Sequence, residues 1–142
     1  MNNRLYDCAL NVIHTYGTND PFEIAADLGV IIERLPLGNM RGFLRGHANG
    51  YGIVINSDLN DEQARLTAAH ELGHYFLHGG QNRVFLDTRT FSNNAKYEKQ
   101  ANTFAVWLLF PDDAELFALG STYDEIQAIT GVDRELLQLR FE

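Results

Sequence analysis

The chain has 142 residues, 45% of them hydrophobic, which is enough to bury one core without staples, so a single domain over 1–142 is expected. Its 19 acidic against 11 basic residues give a formal net charge of −8; with no Lys/Arg cluster this argues against a nonspecific grip on nucleic-acid phosphates, and no apolar run approaches the ~20 residues of a membrane span. Residues Met1–Asp7 lack the apolar stretch of a secretory signal and the one cysteine, Cys8, has no disulfide partner, so a reducing cytoplasm and protein or peptide partners are expected.

Residues 3–16 read as an amphipathic helix, with Leu5, Cys8, Val12 and Tyr16 at near-helical spacing and Gly17 to end it. Cys8 is then a core residue, since a nucleophile would need a base and a depressed pKa. In Asp20-Pro21-Phe22-Glu23 a cap, a first-turn proline and a capping-box glutamate stand in order, and Gly29 closes the short helix they open. The period then changes: Val30–Leu35 is β-branched and stops at Pro36, which predicts a strand. Gly42–Arg45 and Tyr51–Asn56 flank Asn49-Gly50, a hairpin signal, so a sheet of about three strands is expected.

Asn60 offers a cap for a long helix over about 61–78, with Asp61 and Glu62 in its first turn where the helix dipole favours them. Leu66, Ala69, Gly73, Phe76 and Leu77 make its apolar face, and Thr67, His70, Glu71, His74 and His78 lie together on a neighbouring one. Gly79-Gly80 stops it, and 80–94 reads as a polar loop. A second helix runs to Phe110, and Pro111 fits the first turn of another, opened by Asp112 and Asp113 and closed by Gly120. Thr122–Glu125 is a capping box, and Gly131-Val132-Asp133 separates two short helices near the C-terminus.

The chemistry concentrates in His70-Glu71-Leu72-Gly73-His74. Two imidazoles four apart share one helical face, and with a carboxylate beside them they can hold a zinc ion and activate a water. A catalytic zinc wants a third protein ligand. His78 is four residues further on the same face, but three ligands stacked along one helix would span about 12 Å of axis, too far for one ion. Glu98 is the better candidate, because Glu98, Asn102, Ala105 and Leu109 form one line on the next helix, with small or apolar residues that permit close packing. Asn102, one turn on, is placed to accept a ring N–H from a ligating histidine.

The blocks Ala69–His78, Glu98–Ala105 and Leu108–Pro111 together resemble the ImmA/IrrE family of metallopeptidases, and the resemblance extends more weakly to Phe22–Val30 and Tyr51–Asn56. It implies His70, His74 and Glu98 as zinc ligands and Glu71 as catalytic base. It also implies a cytoplasmic bacterial or phage-borne endopeptidase that cuts a repressor or other transcription regulator. Phe110 departs from the methionine that often precedes the proline in the family, which touches no ligand. Longer relatives carry further regulatory or DNA-binding domains, and activities that depend on those do not carry over. The expected fold is α+β and zincin-like, mostly helical, with the small sheet beside the motif helix.

Bland alternatives stand beside each assignment. His70, Glu71, His74 and Glu98 could be ordinary solvated helix residues, but the matching second block weighs against it. His78 reads as a C-terminal histidine meeting the helix dipole, His14 and His47 fit no ligand pattern, and Trp107 reads as core. The C-terminal helix pair has helix-turn-helix spacing, yet from Ser121 onward it carries five acids and two arginines and repels phosphate. A substrate segment is expected to pair with an exposed sheet edge, with that of 51–56 as the candidate. For the group that stabilises the oxyanion, Tyr75, His78, Arg83 and Tyr97 compete and none is assigned. The alternative to a protease is a catalytically silent, zinc-stabilised module that binds a regulator of transcription.

Overall fold

The computed structural model describes residues 3–47, 50–78 and 95–141; the loop expected at 80–94, with Arg83, and Asn49 of the hairpin lie outside the described residues. Among the described residues there are seven helices and three strands. Helix α1 is Asn3–Tyr16 and α2 is Pro21–Leu28. Asp20 caps α2 by accepting the Phe22 N–H, Pro21 sits in the first turn, and Gly29 ends it at φ 77°, a left-handed conformation that side chains other than glycine resist. The chain then extends into β1 (Ile31–Leu35), β2 (Gly42–His47) and β3 (Gly50–Asn56).

The sheet order is β1-β3-β2, with β1 parallel and β2 antiparallel to β3. Ile32 faces Ile53 on one side, and Phe43 faces Val54 on the other. This overturns the expectation of a free edge at 51–56. Ile53, Val54 and Ile55 are buried on both faces of the sheet, the pattern of a central strand, and both flanks of β3 are hydrogen-bonded. Among the described residues the flanking strands of the sheet are β1 and β2. Asn56, at the end of β3, is buried and staples the preceding loop: its amide donates to the Gly38 and Met40 carbonyls, each at 2.9 Å. That loop becomes one rim of the site.

Helix α3 (Asp61–Leu77) opens on a reciprocal capping box between Asn60 and Gln63. It lies between the sheet and α4 (Ala95–Leu109), which in turn packs on α1. The α3–α4 contact is close because of Gly73. A Cβ there would stand 3.0 Å from the Ala101 carbonyl oxygen, 3.1 Å from its Cα and 3.1 Å from a ring carbon of Phe104. Leu66, Ala69, Leu72, Phe104, Ala105 and Leu108 fill the core around this crossing.

Three short helices finish the chain: α5 (Asp113–Phe117), α6 (Tyr123–Thr130) and α7 (Arg134–Phe141). Pro111 precedes α5 rather than opening it. Asp112 takes the cap position, with its side chain accepting the Ala114 N–H, a bond that proline cannot supply. Helix α6 has the expected Thr122–Glu125 capping box and ends at Gly131, φ 78°. The architecture is α+β and zincin-like: mostly helical, with a small mixed sheet beside the helix that carries His70 and His74.

Candidate metal centre

His70, Glu71 and His74 leave α3 towards α4, and the close crossing at Gly73 brings Glu98, in the first turn of α4, to meet them. Glu98 bridges the two histidines: one carboxylate oxygen is 3.2 Å from Nε2 of His70 and the other 2.7 Å from Nε2 of His74. One donor atom each from His70, His74 and Glu98 falls within a 4.8 Å cluster. Two imidazole nitrogens and a carboxylate oxygen are the donor set of a catalytic zinc site that leaves a fourth position open. The residues therefore fit a divalent metal. His78 is not part of this cluster.

The electrostatics of Glu71, Glu98 and His70 differ. Burial raises the Glu71 carboxyl above its ordinary range, and the Glu98 charge adds to this; the charges of His70 and His74 and the Leu44 backbone N–H pull the other way without overcoming it. Burial also opposes ionisation of Glu98, yet hydrogen bonds from His70 and His74, and their charges, outweigh it and bring this carboxyl down to about 2. For His70 burial disfavours the cation, but Glu98 and Glu71 more than compensate and its pKa rises. Adjacent carboxylates are thus pushed in opposite directions. Glu71 sits 3.8 Å from Nε2 of His70, beside the cluster rather than within it.

Asn102 lies close enough to favour protonated His70, yet the buried Nδ1 of that ring has no hydrogen-bond partner among the described residues. The ring N–H contact expected of Asn102 is therefore not made at Nδ1. His78 makes the contact that was not expected. Its Nδ1 lies 3.1 Å from Nδ1 of His74, and its Nε2 lies 2.8 Å from Oε1 of Gln100 on α4. The i, i+4 repeat from His70 through His74 to His78 was visible in the sequence; Gln100 had no signal of its own beyond standing two residues after Glu98.

The four motif residues line a groove of about 460 Å³. Its walls are the β2 side, Met40 to Leu44, the α3 face with Leu66 and Thr67, and Asp133 and Leu136 from the C-terminal helices. Gly42 allows β2 to approach so nearly: a Cβ there would lie 2.6 Å from the Val54 carbonyl oxygen and 2.8 Å from the Thr67 methyl. Tyr75, Tyr97 and His78 do not line the groove; Tyr75 packs edge-on against Tyr51 and Tyr97 stacks on His78. Trp107 is also remote from it, packed against Tyr6 and under the Arg140 guanidinium. His14 is exposed and Cys8 half-buried.

The Peptidase M78 family model, described as the IrrE N-terminal-like domain, matches residues 25–142. Uncharacterized immunity region protein 2 of Bacillus phage phi105 is 36% identical over 132 residues, covering 91% of this chain and 84% of that protein. Metallopeptidase ImmA of Bacillus subtilis (strain 168) is 36% identical over 104 residues, 72% of this chain and 60% of its own length. With the match running across both helices that bring His70, His74 and Glu98 together, the chain belongs to the ImmA/IrrE family of metallopeptidases.

Proposed function

We propose that the protein is a zinc-dependent endopeptidase of one domain across residues 1–142, acting in the cytoplasm on a protein substrate, a repressor or other transcription regulator. His70, His74 and Glu98 hold the metal, and Glu71 is the general base. The observation that carries this is the convergence of three donor atoms on a buried carboxylate that stays outside their cluster, at the floor of an open groove. When bound, zinc supplies the Lewis acidity that polarises a scissile carbonyl and lowers the pKa of a water. Glu71, its proton affinity raised by burial, would take a proton from an attacking water and deliver it to the leaving amine. The Leu44 N–H, donating to Glu71, holds the carboxylate in place from β2. Asn102, beside His70, steadies that ring.

The substrate lies extended in the groove beside β2, the flanking strand whose residues 42–44 line it. A protein substrate, rather than nucleic acid or membrane, is supported by charge. Both arginines after Ser121 are engaged, Arg134 with Asp124 and Arg140 with Asp113, which leaves neither to meet a phosphate. No described helix is long and apolar enough to cross a membrane. A regulator as substrate is supported by the relatives, one named for a phage immunity region and one a metallopeptidase.

The test compares the proteomes of cells expressing the wild type and Glu71→Gln. One regulator should disappear, with a new terminus inside its chain, in the wild type alone, while the variant keeps its fold and zinc. Equal loss in both, or none in either, would replace hydrolysis with the silent binding module.

A further inference from the structure

We infer that His78 and Gln100 form a positioning relay that fixes the tautomer and tilt of His74, and so presents its Nε2 to the metal. The inference rests on the metal-site reading and adds two residues to it. Its argument is hydrogen-atom bookkeeping. The Gln100 oxygen, 2.8 Å from Nε2 of His78, can only accept, so Nε2 of His78 carries the hydrogen. Two ring nitrogens 3.1 Å apart, Nδ1 of His78 and Nδ1 of His74, share one hydrogen, since two N–H groups cannot point at each other at that distance. With its own hydrogen on Nε2, His78 accepts at Nδ1, and the shared hydrogen belongs to Nδ1 of His74. Nε2 of His74 hydrogen-bonds Glu98 at 2.7 Å, and because Nδ1 keeps its hydrogen towards His78, Nε2 is the nitrogen that gives its hydrogen up and offers a lone pair to a metal.

The surroundings hold the relay rigid. Tyr97 stacks on the His78 ring with centroids 4.2 Å apart and planes 27° from parallel. Glu98 and Gln100 stand two apart on α4, so they point to different sides of that helix, and α4 reaches both nitrogens of His74, directly with Glu98 and through His78 with Gln100. His74 itself is buried. A ligand held at both nitrogens loses little freedom on binding metal, which is how groups behind a ligand tune affinity.

Zinc affinity of the purified chain, read by competition with a chromogenic chelator, tests this without any activity assay. His78→Phe keeps a ring to stack on Tyr97 and removes both nitrogens; zinc should bind about 10- to 100-fold more weakly. Gln100→Leu should fall in the same direction, and Gln100→Glu, which keeps an acceptor and no donor, should stay within about threefold of wild type. Binding by His78→Phe within about twofold of wild type, or a Gln100→Glu as weak as Gln100→Leu, overturns the relay. Failure of the wild type to bind zinc at all overturns the metal site instead. Nitrogen-15 histidine spectra of the zinc-loaded wild type give an independent reading: hydrogen on Nδ1 of His74 and on Nε2 of His78 is expected, and the opposite tautomers overturn the relay whether or not any variant folds.

Discussion

Among the described residues charge enters the interior in two places, and they are satisfied to different degrees. Arg140, on α7, has a side chain only 1% exposed. Its Nε and one terminal nitrogen donate to Asp113 at 2.9 and 2.6 Å, the other donates to the Val106 carbonyl at 3.2 Å, and the guanidinium lies 3.9 Å above the Trp107 ring. Every face of that group has a partner. In the centre between α3 and α4, by contrast, two carboxylates approach each other, Nδ1 of His70 is buried with no hydrogen-bond partner among the described residues, and Glu71 is buried with its charged form disfavoured. The buried Nδ1 and the buried Glu71 carboxylate each cost stability. The first centre clamps the C-terminal helix to α4 and α5; the second has the unmet groups expected of the metal and substrate site proposed above.

Substitutions should separate the two centres cleanly. The largest effect is expected from Glu98→Ala, which removes one of the three proposed ligands and the bridge between two helices: zinc affinity should fall by more than the roughly 100-fold typical of losing a group behind a ligand. Metal content after gel filtration checks this, with the helical circular dichroism unchanged. Arg140→Ala should do the reverse. It leaves zinc affinity intact and lowers stability by about 2–3 kcal/mol, because charge-assisted hydrogen bonds and packing on Trp107 are lost together. That corresponds to roughly 6–9 °C in a thermal melt for a chain of this size. If Arg140→Ala instead costs zinc, the clamp is not independent of the site.

Gly73→Ala sits between the centres and should move both a little. Its Cβ would press on backbone atoms of Ala101, which cannot swing aside as a side chain can. Overpacking of about 1–3 kcal/mol is offset by about 1 kcal/mol of better helix propensity. The net loss, about 1 kcal/mol in urea unfolding, should come with a several-fold weaker zinc affinity as α4 and Glu98 are pushed outward. Unchanged affinity would mean that Glu98 tolerates displacement of its helix.

These effects also mark what was legible in the sequence. Caps and breakers with short-range chemistry, such as Asp20-Pro21, Asn60, Thr122–Glu125 and Gly131, locate the helices they bound, because each acts on its own backbone within a turn. Pro111 misled by one position, since Asp112 beside it competes for the same start. Glu98 was reachable because helical spacing on two adjacent segments constrains which faces can meet. Sheet order was not. Nothing in residues 51–56 says that the distant β1 will pair with their far side, so the edge expected there is closed. The contact of His78 with Gln100 depends on the crossing of α3 and α4 to within a few tenths of an ångström, which a spacing pattern does not encode.

The smallest and most discriminating effect concerns the two carboxylates in metal-free protein. Glu71, with its carboxyl raised above 4.5 first by burial, binds its proton more tightly folded than unfolded. The stability this gives is present below the unfolded value and is lost as pH rises through the folded one, so ionised Glu71 weighs against the fold at neutral pH. Glu98 has the opposite sign. Depressed from 4.5 to about 2, it contributes stability that is present above the unfolded value and is lost as pH falls through the folded one. Thermal melts in chelator should therefore place Glu71→Gln above wild type at pH 7, with the difference closing by about pH 4. Glu98→Gln should lie below wild type at pH 7, with its deficit shrinking as the pH approaches about 2. Shifts of one sign in both variants would mean that the two carboxylates titrate as equivalent surface groups, and the contrast between a satisfied centre and a poised one would fail at its most sensitive point.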